Sequence, residues 1–221
     1  MKKKMLKSFI AMLMTVNVCL GCAGAVDAKP FSDVNENDWF YYAVATAEDV
    51  GYMNGYPDGT FRPNATITRA EGAQILFKVA QPDTSHPTGV SIDFADVPSD
   101  AWYYTAVSQM GDVLGGTIWV NSPEFTGAYF YPDRTCTRED FAYGLANAAG
   151  IRGRSIALAH SGWADYMDIN PEYWEQIAGL YNLGIVAGSS DGKFHPKDTI
   201  TRAEVAQILS NFVQWNMTSQ S

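Results

Sequence analysis

The feature that most limits how this chain can fold is an internal repeat. Residues 51–76 align with residues 184–209 at a constant offset of 133 positions, and 16 of the 26 aligned residues are identical. The shared positions include two glycines, an Asp-Gly pair, a Phe-x-Pro and the run Thr-Ile-Thr-Arg-Ala-Glu. Similarity of this density indicates duplicated structural units that pack against one another.

A third, more divergent copy lies between the two similar ones. It is stretched by the segment 115–129, which replaces a shorter loop and lacks the Asp-Gly pair. In the third copy Trp174 lies ten residues before Gly184. In the first copy Trp39 lies twelve residues before Gly51, so we expect a two-residue deletion near the first helix of the third copy. A proline stands six residues before an arginine in every copy: Pro63 and Arg69, Pro132 and Arg138, and Pro196 and Arg202.

Each copy has the sequence pattern of a helix, a loop and a second helix. The first helix is predicted to end at a glycine in the left-handed conformation, Gly51 or Gly184. The second helix is predicted to begin after a threonine that is followed three residues later by an acid, which is the pattern of a capping box. These predicted capping pairs are Thr68 with Glu71, Thr137 with Asp140, and Thr201 with Glu204.

Two short helices cannot bury an apolar face alone, but three copies packed around a pseudo-threefold axis can. The predicted fold class is therefore all-α, with three helix-loop-helix repeats in a pseudo-threefold arrangement. The expected division is a signal peptide at 1–28, module 1 at 29–82, module 2 at 93–150 with its loop insertion at 115–129, module 3 at 164–215 and a tail at 216–221.

The N-terminal residues have the pattern of a secretory signal peptide. Four lysines precede a short apolar run at 9–20, and small residues follow it. The run is too short and too interrupted to span a bilayer, so no transmembrane segment is expected in the mature chain. Cleavage is expected after Ala28 or after Ala25. In a second interpretation, residues 19–22 resemble a lipobox and Cys22 becomes a lipidated N-terminus.

Charge and cysteine content exclude several classes of protein. The chain carries 15 basic and 24 acidic residues, a net charge of −9. Loss of residues 1–28 removes four lysines and Asp27, which leaves 11 basic and 23 acidic residues and a net charge of −12. This acidity excludes the basic surface of a nucleic-acid-binding protein and argues against binding to anionic lipid. The mature chain would hold Cys136 alone, so an internal disulfide is excluded; we expect a small helix-flanking residue there, since no positioned His supports a reactive thiol.

The arginine that follows the capping threonine is the most informative repeated residue. It occupies the first helical position, where a cation is unfavourable by about 0.3–1 kcal/mol because of the helix dipole. Its presence in all three copies therefore suggests an anionic partner. Free amides at the helix start together with a guanidinium form a carboxylate or phosphate receptor. The alternative, which is compatible with the first, is an ion pair between copies that joins Arg69, Arg138 or Arg202 to Asp33, Asp96 or Asp168.

Aromatic residues cluster where each first helix begins. Indole faces are suitable platforms for the apolar side of a sugar ring, whereas core packing explains other aromatics of the clusters. The tryptophans beside polar loops are the candidate ligand-binding ones: Trp39, Trp102 and Trp174.

Enzymatic and metal-binding patterns are weak. A glycosidase requires two carboxylates that face each other across a cleft, whereas the acids here repeat with the fold and are interpreted as helix caps. The segment 33–44 resembles a calcium loop, but Asp38 replaces the required glycine and Val44 replaces the final glutamate. The three histidines, His86, His160 and His195, lack ligand spacing. We therefore expect no catalysis, no metal and no cofactor.

These residues together resemble the surface-layer homology (SLH) family, as three modules that cover nearly the whole mature chain. The resemblance implies three grooves between modules and non-covalent anchoring to the bacterial cell wall. The implied ligand is an acidic, pyruvylated secondary wall polysaccharide, or, as in some diderm relatives, modified peptidoglycan. The matching residues of the first copy are Phe31-x-Asp33-Val34, Trp39, Ala43-Val44, Gly51, Gly55, Asp58-Gly59-x-Phe61-x-Pro63 and Ile67-Thr68-Arg69-Ala70-Glu71.

The resemblance also implies roles for particular residues. The family's motif arginine contacts the acidic group of the ligand, and a loop aspartate and a nearby tryptophan complete the site. Trp174 is out of phase with the other two tryptophans, and the middle loop without Asp-Gly implies an altered groove. The implied location is outside the cell, in the wall, S-layer or envelope, with an envelope protein as a further possible partner. A second hypothesis is a structural module that binds protein through degenerate grooves. The implied ligand-binding residues are Arg69, Arg138, Arg202, Asp33, Asp96, Asp168, Trp39, Trp102 and, with its different phase, Trp174.

Overall fold

The computed structural model describes residues 31–80, 92–111, 113–114, 118–121, 126–151 and 162–219. The predicted signal peptide, both cleavage sites and Cys22 lie outside the described residues, as do His86 and His160. The described residues contain six α-helices: α1 (Tyr41–Asp49), α2 (Arg69–Ala80), α3 (Tyr104–Met110), α4 (Arg138–Ala149), α5 (Trp174–Asn182) and α6 (Arg202–Thr218).

The mostly helical fold predicted from the repeat is confirmed, with two α-helices in each copy. Each second helix begins at the arginine directly after its threonine. Gly51 and Gly184 follow α1 and α5 with φ values of 75° and 70°, as expected for glycines that end a helix. Two short 3-10 helices, Tyr166–Asp168 and Pro171–Tyr173, precede α5.

The stretched loop of the middle copy forms a β-hairpin, which the all-α prediction did not include. Strand β1 (Ile118–Asn121) pairs antiparallel with β2 (Thr126–Tyr129). The sequence of β1, Ile-Trp-Val-Asn, is rich in β-branched and aromatic residues that favour strands. Ala128 also accepts a hydrogen bond from the backbone of Ala95, so the hairpin is attached to the start of the same copy.

A closed triangle of backbone hydrogen bonds lies at the pseudo-threefold axis. Ile67 N donates to Ile200 O at 3.2 Å, Ile200 N to Cys136 O at 3.1 Å, and Cys136 N to Ile67 O at 2.9 Å. All three side chains are fully buried. Burial raises the pKa of the Cys136 thiol, so this cysteine is a small apolar residue at the axis, in the place that isoleucine has in the other copies.

The helix starts are connected to the next copy in the same cyclic order. Arg69 N donates to Arg134 O at 2.8 Å, Arg138 N to Asp198 O at 2.9 Å, and Arg202 N to Ala65 O at 2.8 Å. The following residue of each helix also donates to a proline carbonyl of the next copy. The amides expected to be free for a ligand are therefore used for assembly of the fold.

Helix packing follows the same order. Helix α3 packs against α2, and α5 against α4, so each first helix covers the second helix of the preceding copy. Helix α1 packs against α6, which joins the first copy to the third and closes the ring. Aromatic pairs from each copy's own loop fill the space beside the axis: Phe31 with Phe61, Phe94 with Phe130, and Trp163 with Phe194.

Loss of one helix cap should measurably destabilise this arrangement. Thr201 Oγ1 accepts from Glu204 N, and Glu204 Oε2 accepts from Thr201 N at 2.8 Å. We expect Thr201→Ala to lower the free energy of unfolding by about 1 kcal/mol, because Glu204 N loses its acceptor and Glu204 Oε2 loses the hydroxyl donor, while the backbone bond from residue 201 remains. Urea unfolding followed by circular dichroism measures this. Thr218→Ala, at the exposed end of the same helix, is the control, and an equal effect of both changes would contradict the capping role.

Candidate ligand-binding groove

Two of the three repeated arginines are buried structural residues. Arg69 Nε donates to Phe130 O at 2.8 Å, and Arg202 Nε donates to Phe61 O at 2.7 Å. Each guanidinium also lies over the ring of the same phenylalanine, at 4.6 Å and 4.4 Å from the ring centroid. Because these phenylalanines belong to the next copy, the two arginines bind neighbouring copies together.

Arg138 differs from the other two arginines. Its Nη1 lies 3.1 Å from Glu204 Oε1, and its Nη2 donates to Ala187 O at 2.9 Å. Its guanidinium is farther from the equivalent ring, 5.2 Å from the centroid of Phe194. Its Nε is buried and has no hydrogen-bond partner among the described residues. One directional donor of Arg138 is thus unused within the described part of the chain.

Desolvation lowers the pKa of Arg138, while the nearby carboxylates of Glu204 and Asp198 act in the opposite direction. An arginine pKa starts so far above neutrality that the group stays charged at physiological pH. Arg138 therefore presents a permanent positive charge in a partly dry site, where charge-assisted hydrogen bonds are strong.

A groove of about 610 Å³ opens beside Arg138. It lies where three copies meet, because Arg138 comes from the second copy, the loop and helix α6 from the third, and Trp39 from the first. The indole of Trp39 is 63% exposed. Gln207 Nε2 donates to Asn211 Oδ1 at 2.9 Å along the groove wall. The lining residues are Trp39, Arg138, Ile185, Ala187, Gly188, Ser189, Ser190, Glu204, Gln207, Ile208 and Asn211.

The repeated aspartates are expected from the sequence to form ion pairs with the arginines, but their main contacts are with backbone amides of their own copy. Asp33 Oδ1 and Oδ2 accept from Phe61 N and Arg62 N at 2.7 and 2.8 Å. Asp96 accepts in the same way from Phe130 N and Tyr131 N. These carboxylates hold the loop of their own copy.

The held loop contains a backbone conformation that requires support. Arg62, Tyr131 and His195 have φ values of 58°, 58° and 57°, and each precedes a proline. Non-glycine residues rarely adopt this left-handed region, at a cost of about 1–3 kcal/mol. The aspartate that accepts both neighbouring amides provides the compensating interaction in every copy.

In the third copy this aspartate is Asp165, so the equivalence predicted for Asp168 is wrong. Asp165 accepts from Phe194 N and His195 N, both at 2.8 Å. Asp168 ends a 3-10 helix and lines a separate cavity of about 320 Å³ together with Asp165 and His195. The sequence signal that was missed is Trp163-Ala164-Asp165, in which tryptophan replaces the phenylalanine of Phe-x-Asp.

Trp174 is likewise not the equivalent of the exposed tryptophans. It is the first residue of α5, half-buried, and its Nε1 donates to Ile169 O at 3.1 Å. Trp39 and Trp102 instead stand two residues before their helices, and Glu172 holds that position in the third copy. Helices α1 and α5 each contain nine residues, and both end two residues before their glycines. The two-residue deletion predicted near the helix start is therefore wrong.

The capping acids have a second role that sequence analysis missed. The acid three residues after each capping threonine also faces the arginine of the preceding copy. Asp140 Oδ2 lies 3.8 Å from Arg69 Nη1, and Glu204 is the ion partner of Arg138. Glu71 contributes a favourable charge interaction to Arg202. In Glu71 and Glu204 one side chain thus both caps its helix and pairs with an arginine of another copy.

The described residues contain neither a metal-binding group nor a membrane-spanning helix. Nowhere in the described ranges do three His, Cys, Asp or Glu side chains form a group that could hold a metal ion. Likewise, none of the described helices combines the length and apolar character needed to cross a bilayer.

The family model of the S-layer homology domain matches residues 30–73 and 161–206. The chain belongs to the S-layer homology (SLH) domain family. The matched ranges lie in the first and third copies. The middle copy shows the same aspartate clamp, threonine cap and cross-copy backbone bond from its arginine as its neighbours.

Relatives with S-layer and anchoring names align over most of this SLH chain. S-layer protein EA1 of Bacillus anthracis is 30% identical over 208 residues, which cover 92% of this chain and 22% of that protein. The cellulosome-anchoring protein of Acetivibrio thermocellus is 30% identical over 172 residues, covering 76% of this chain and 37% of that protein. This SLH chain therefore spans only a minor part of the length of either relative.

Proposed function

We propose that this SLH chain anchors non-covalently to the bacterial cell wall by binding an acidic, pyruvylated wall polysaccharide, without catalysis of its own. The observation that carries the proposal is the open groove that the side chain of Arg138 and the exposed indole of Trp39 line together. The names of the aligned relatives, S-layer proteins and a cellulosome-anchoring protein, support a location at the cell surface.

The groove supplies the three interactions that an acidic sugar needs. The guanidinium of Arg138 binds a carboxylate through charge-assisted hydrogen bonds. The exposed face of Trp39 packs against the apolar face of a sugar ring. The side chains of Gln207, Asn211 and Ser189 offer donors and acceptors for hydroxyl groups. A charged donor in a partly dry groove favours an acidic ligand over a protein partner or neutral peptidoglycan.

The indole provides the first test, because its exposure makes it dispensable for folding. We expect Trp39→Ala to weaken retention on purified wall sacculi about tenfold, since one aromatic stacking contact is worth roughly 1–1.5 kcal/mol. Tyr42→Ala removes a neighbouring aromatic side chain that is 79% exposed and does not line the groove, and it should bind as the unchanged chain does. Co-sedimentation over a range of sacculus concentrations gives both affinities.

The same assay identifies the wall component. Sacculi stripped of their acidic polymer should retain little of the chain. Full retention on stripped sacculi would reject the acidic polysaccharide in favour of peptidoglycan itself. Retention that is insensitive to Trp39→Ala, or absent from intact sacculi, would reject the groove as a wall-binding site and favour a protein partner.

A further inference from the structure

We infer that the three arginine grooves are not equivalent, and that one loop position decides which of them can bind: serine at 189 leaves the Arg138 groove open, and tyrosine at 56 closes the Arg202 groove. This inference rests on the proposed function, because it specifies which groove carries that function. It replaces three similar sites by one principal site in this chain.

Ser189 and Tyr56 occupy the same position in their loops. Tyr56 N donates to Thr60 O at 2.8 Å, and Ser189 N donates to Lys193 O at 2.7 Å. In both loops the carbonyl of this residue also accepts from the glycine of the following turn at 3.0 Å. The two backbones therefore follow the same path, and only the side chain differs.

In the first copy the tyrosine ring covers the arginine that it faces. The guanidinium of Arg202 lies 4.9 Å from the centroid of the Tyr56 ring. Its Nη2 donates to Asn54 O at 2.7 Å, in addition to the bond from Nε to Phe61 O. Arg62 lies over the same tyrosine ring at 3.9 Å, which holds the ring in place. Ligand access to Arg202 would require displacement of this ring.

In the third copy the serine side chain is too short to cover Arg138. Ser189 is exposed, and it lines the groove beside the guanidinium. The side chain of Arg138 is 13% exposed, compared with 6% for Arg69. The Nε that binds a phenylalanine carbonyl in the other two copies has no such partner here among the described residues. The short serine side chain and the greater exposure of Arg138 leave it as the arginine that a ligand can reach.

The Arg69 groove has a different obstacle to an acidic sugar. Arg69 is buried between Phe130 and the carboxylate of Asp140. Trp39, which lines the Arg138 groove, stands two residues before α1. By the pseudo-threefold arrangement, the equivalent residue at the Arg69 groove is Glu172, two residues before α5. This position offers a negative charge in place of a stacking surface, and like charges at close range are unfavourable.

Paired variants test the inference on purified sacculi, with the unchanged chain as reference. Ser189→Tyr introduces the covering ring at an exposed position, and we expect at least tenfold weaker retention with an unchanged melting temperature. Trp102→Ala removes the indole at the Arg202 groove that is equivalent to Trp39 at the Arg138 groove. Trp102 is 65% exposed, which matches the 63% of Trp39, yet its loss should change retention by less than twofold.

The outcomes separate this inference from the proposed function. An unchanged chain that fails to bind sacculi refutes the proposed function itself. If the chain binds, equal losses for Trp102→Ala and Trp39→Ala show that the grooves are equivalent and overturn the inference. Normal retention of a folded Ser189→Tyr variant also overturns it. Should Ser189→Tyr melt at a lower temperature, the tryptophan pair alone decides.

Discussion

Arg138→Ala is expected to weaken retention on purified walls about 100-fold, because removing the charged partner of a desolvated pair costs roughly 2–5 kcal/mol. The variant loses the guanidinium that lines the groove and leaves Glu204 there without its cationic partner. An acidic ligand would then meet repulsion where it had met a cation. Co-sedimentation with sacculi measures the loss.

Arg134→Ala is the matched control for this change. Arg134 belongs to the same copy, is exposed and lies over the ring of Tyr131 at 4.1 Å, so its removal changes the net charge equally outside the groove. Retention should remain close to that of the unchanged chain. Equal losses for the two variants would show that net charge, and not the groove, controls binding to the wall.

Arg202→Ala is expected to produce the largest loss of stability, about 3 kcal/mol in the free energy of unfolding, because it leaves the buried carbonyl of Phe61 without its donor. Arg202 binds Phe61 O and Asn54 O, and so connects the third copy to the first. The variant should melt at a clearly lower temperature and unfold at a lower urea concentration.

Comparison with Arg138→Ala separates the structural role from the binding role. The Nε of Arg138 makes no bond to a buried carbonyl among the described residues, whereas the Nε of Arg202 does, so loss of Arg138 should cost less stability. If both variants are destabilised equally, Arg202 has no special role in closing the ring. A wall-binding assay with Arg202→Ala is meaningful only at temperatures where the variant remains folded.

The helices could be predicted from the sequence because their signals are local. The threonine that caps each second helix and the acid three residues later lie within one turn of chain. Gly51 and Gly184 can end α1 and α5 because glycine, which has no Cβ, adopts the left-handed conformation readily, and this depends on one residue alone. The identical run around Arg69 and Arg202 made the repeat, and hence the mostly helical fold, visible without any structure.

The partners of the repeated residues could not be predicted, because they lie in other copies or far along the chain. Asp33 holds the amides of residues 61 and 62, so its clamp role is not encoded by its neighbours. The misplaced equivalence of Asp168 had a simpler cause. In the third copy Trp163 replaces the phenylalanine of Phe-x-Asp, and one extra residue separates the aspartate from its helix. Alignment of the repeats therefore does not identify Asp165 as the equivalent of Asp33. The covering role of Tyr56 depends on a guanidinium nearly 150 residues away.

Closure of the ring has a kinetic consequence. The buried face of α1, which includes Val44, packs against α6 of the third copy, more than 150 residues later in the chain. The backbone bond between residues 202 and 65 must likewise wait for the last copy. Contacts of such long sequence separation are slow to form, since most of the chain has to be ordered before they stabilise it. A chain that is synthesised from its N-terminus therefore keeps α1 without this packing partner until α6 has also been made, so the ring closes only after all three copies are present.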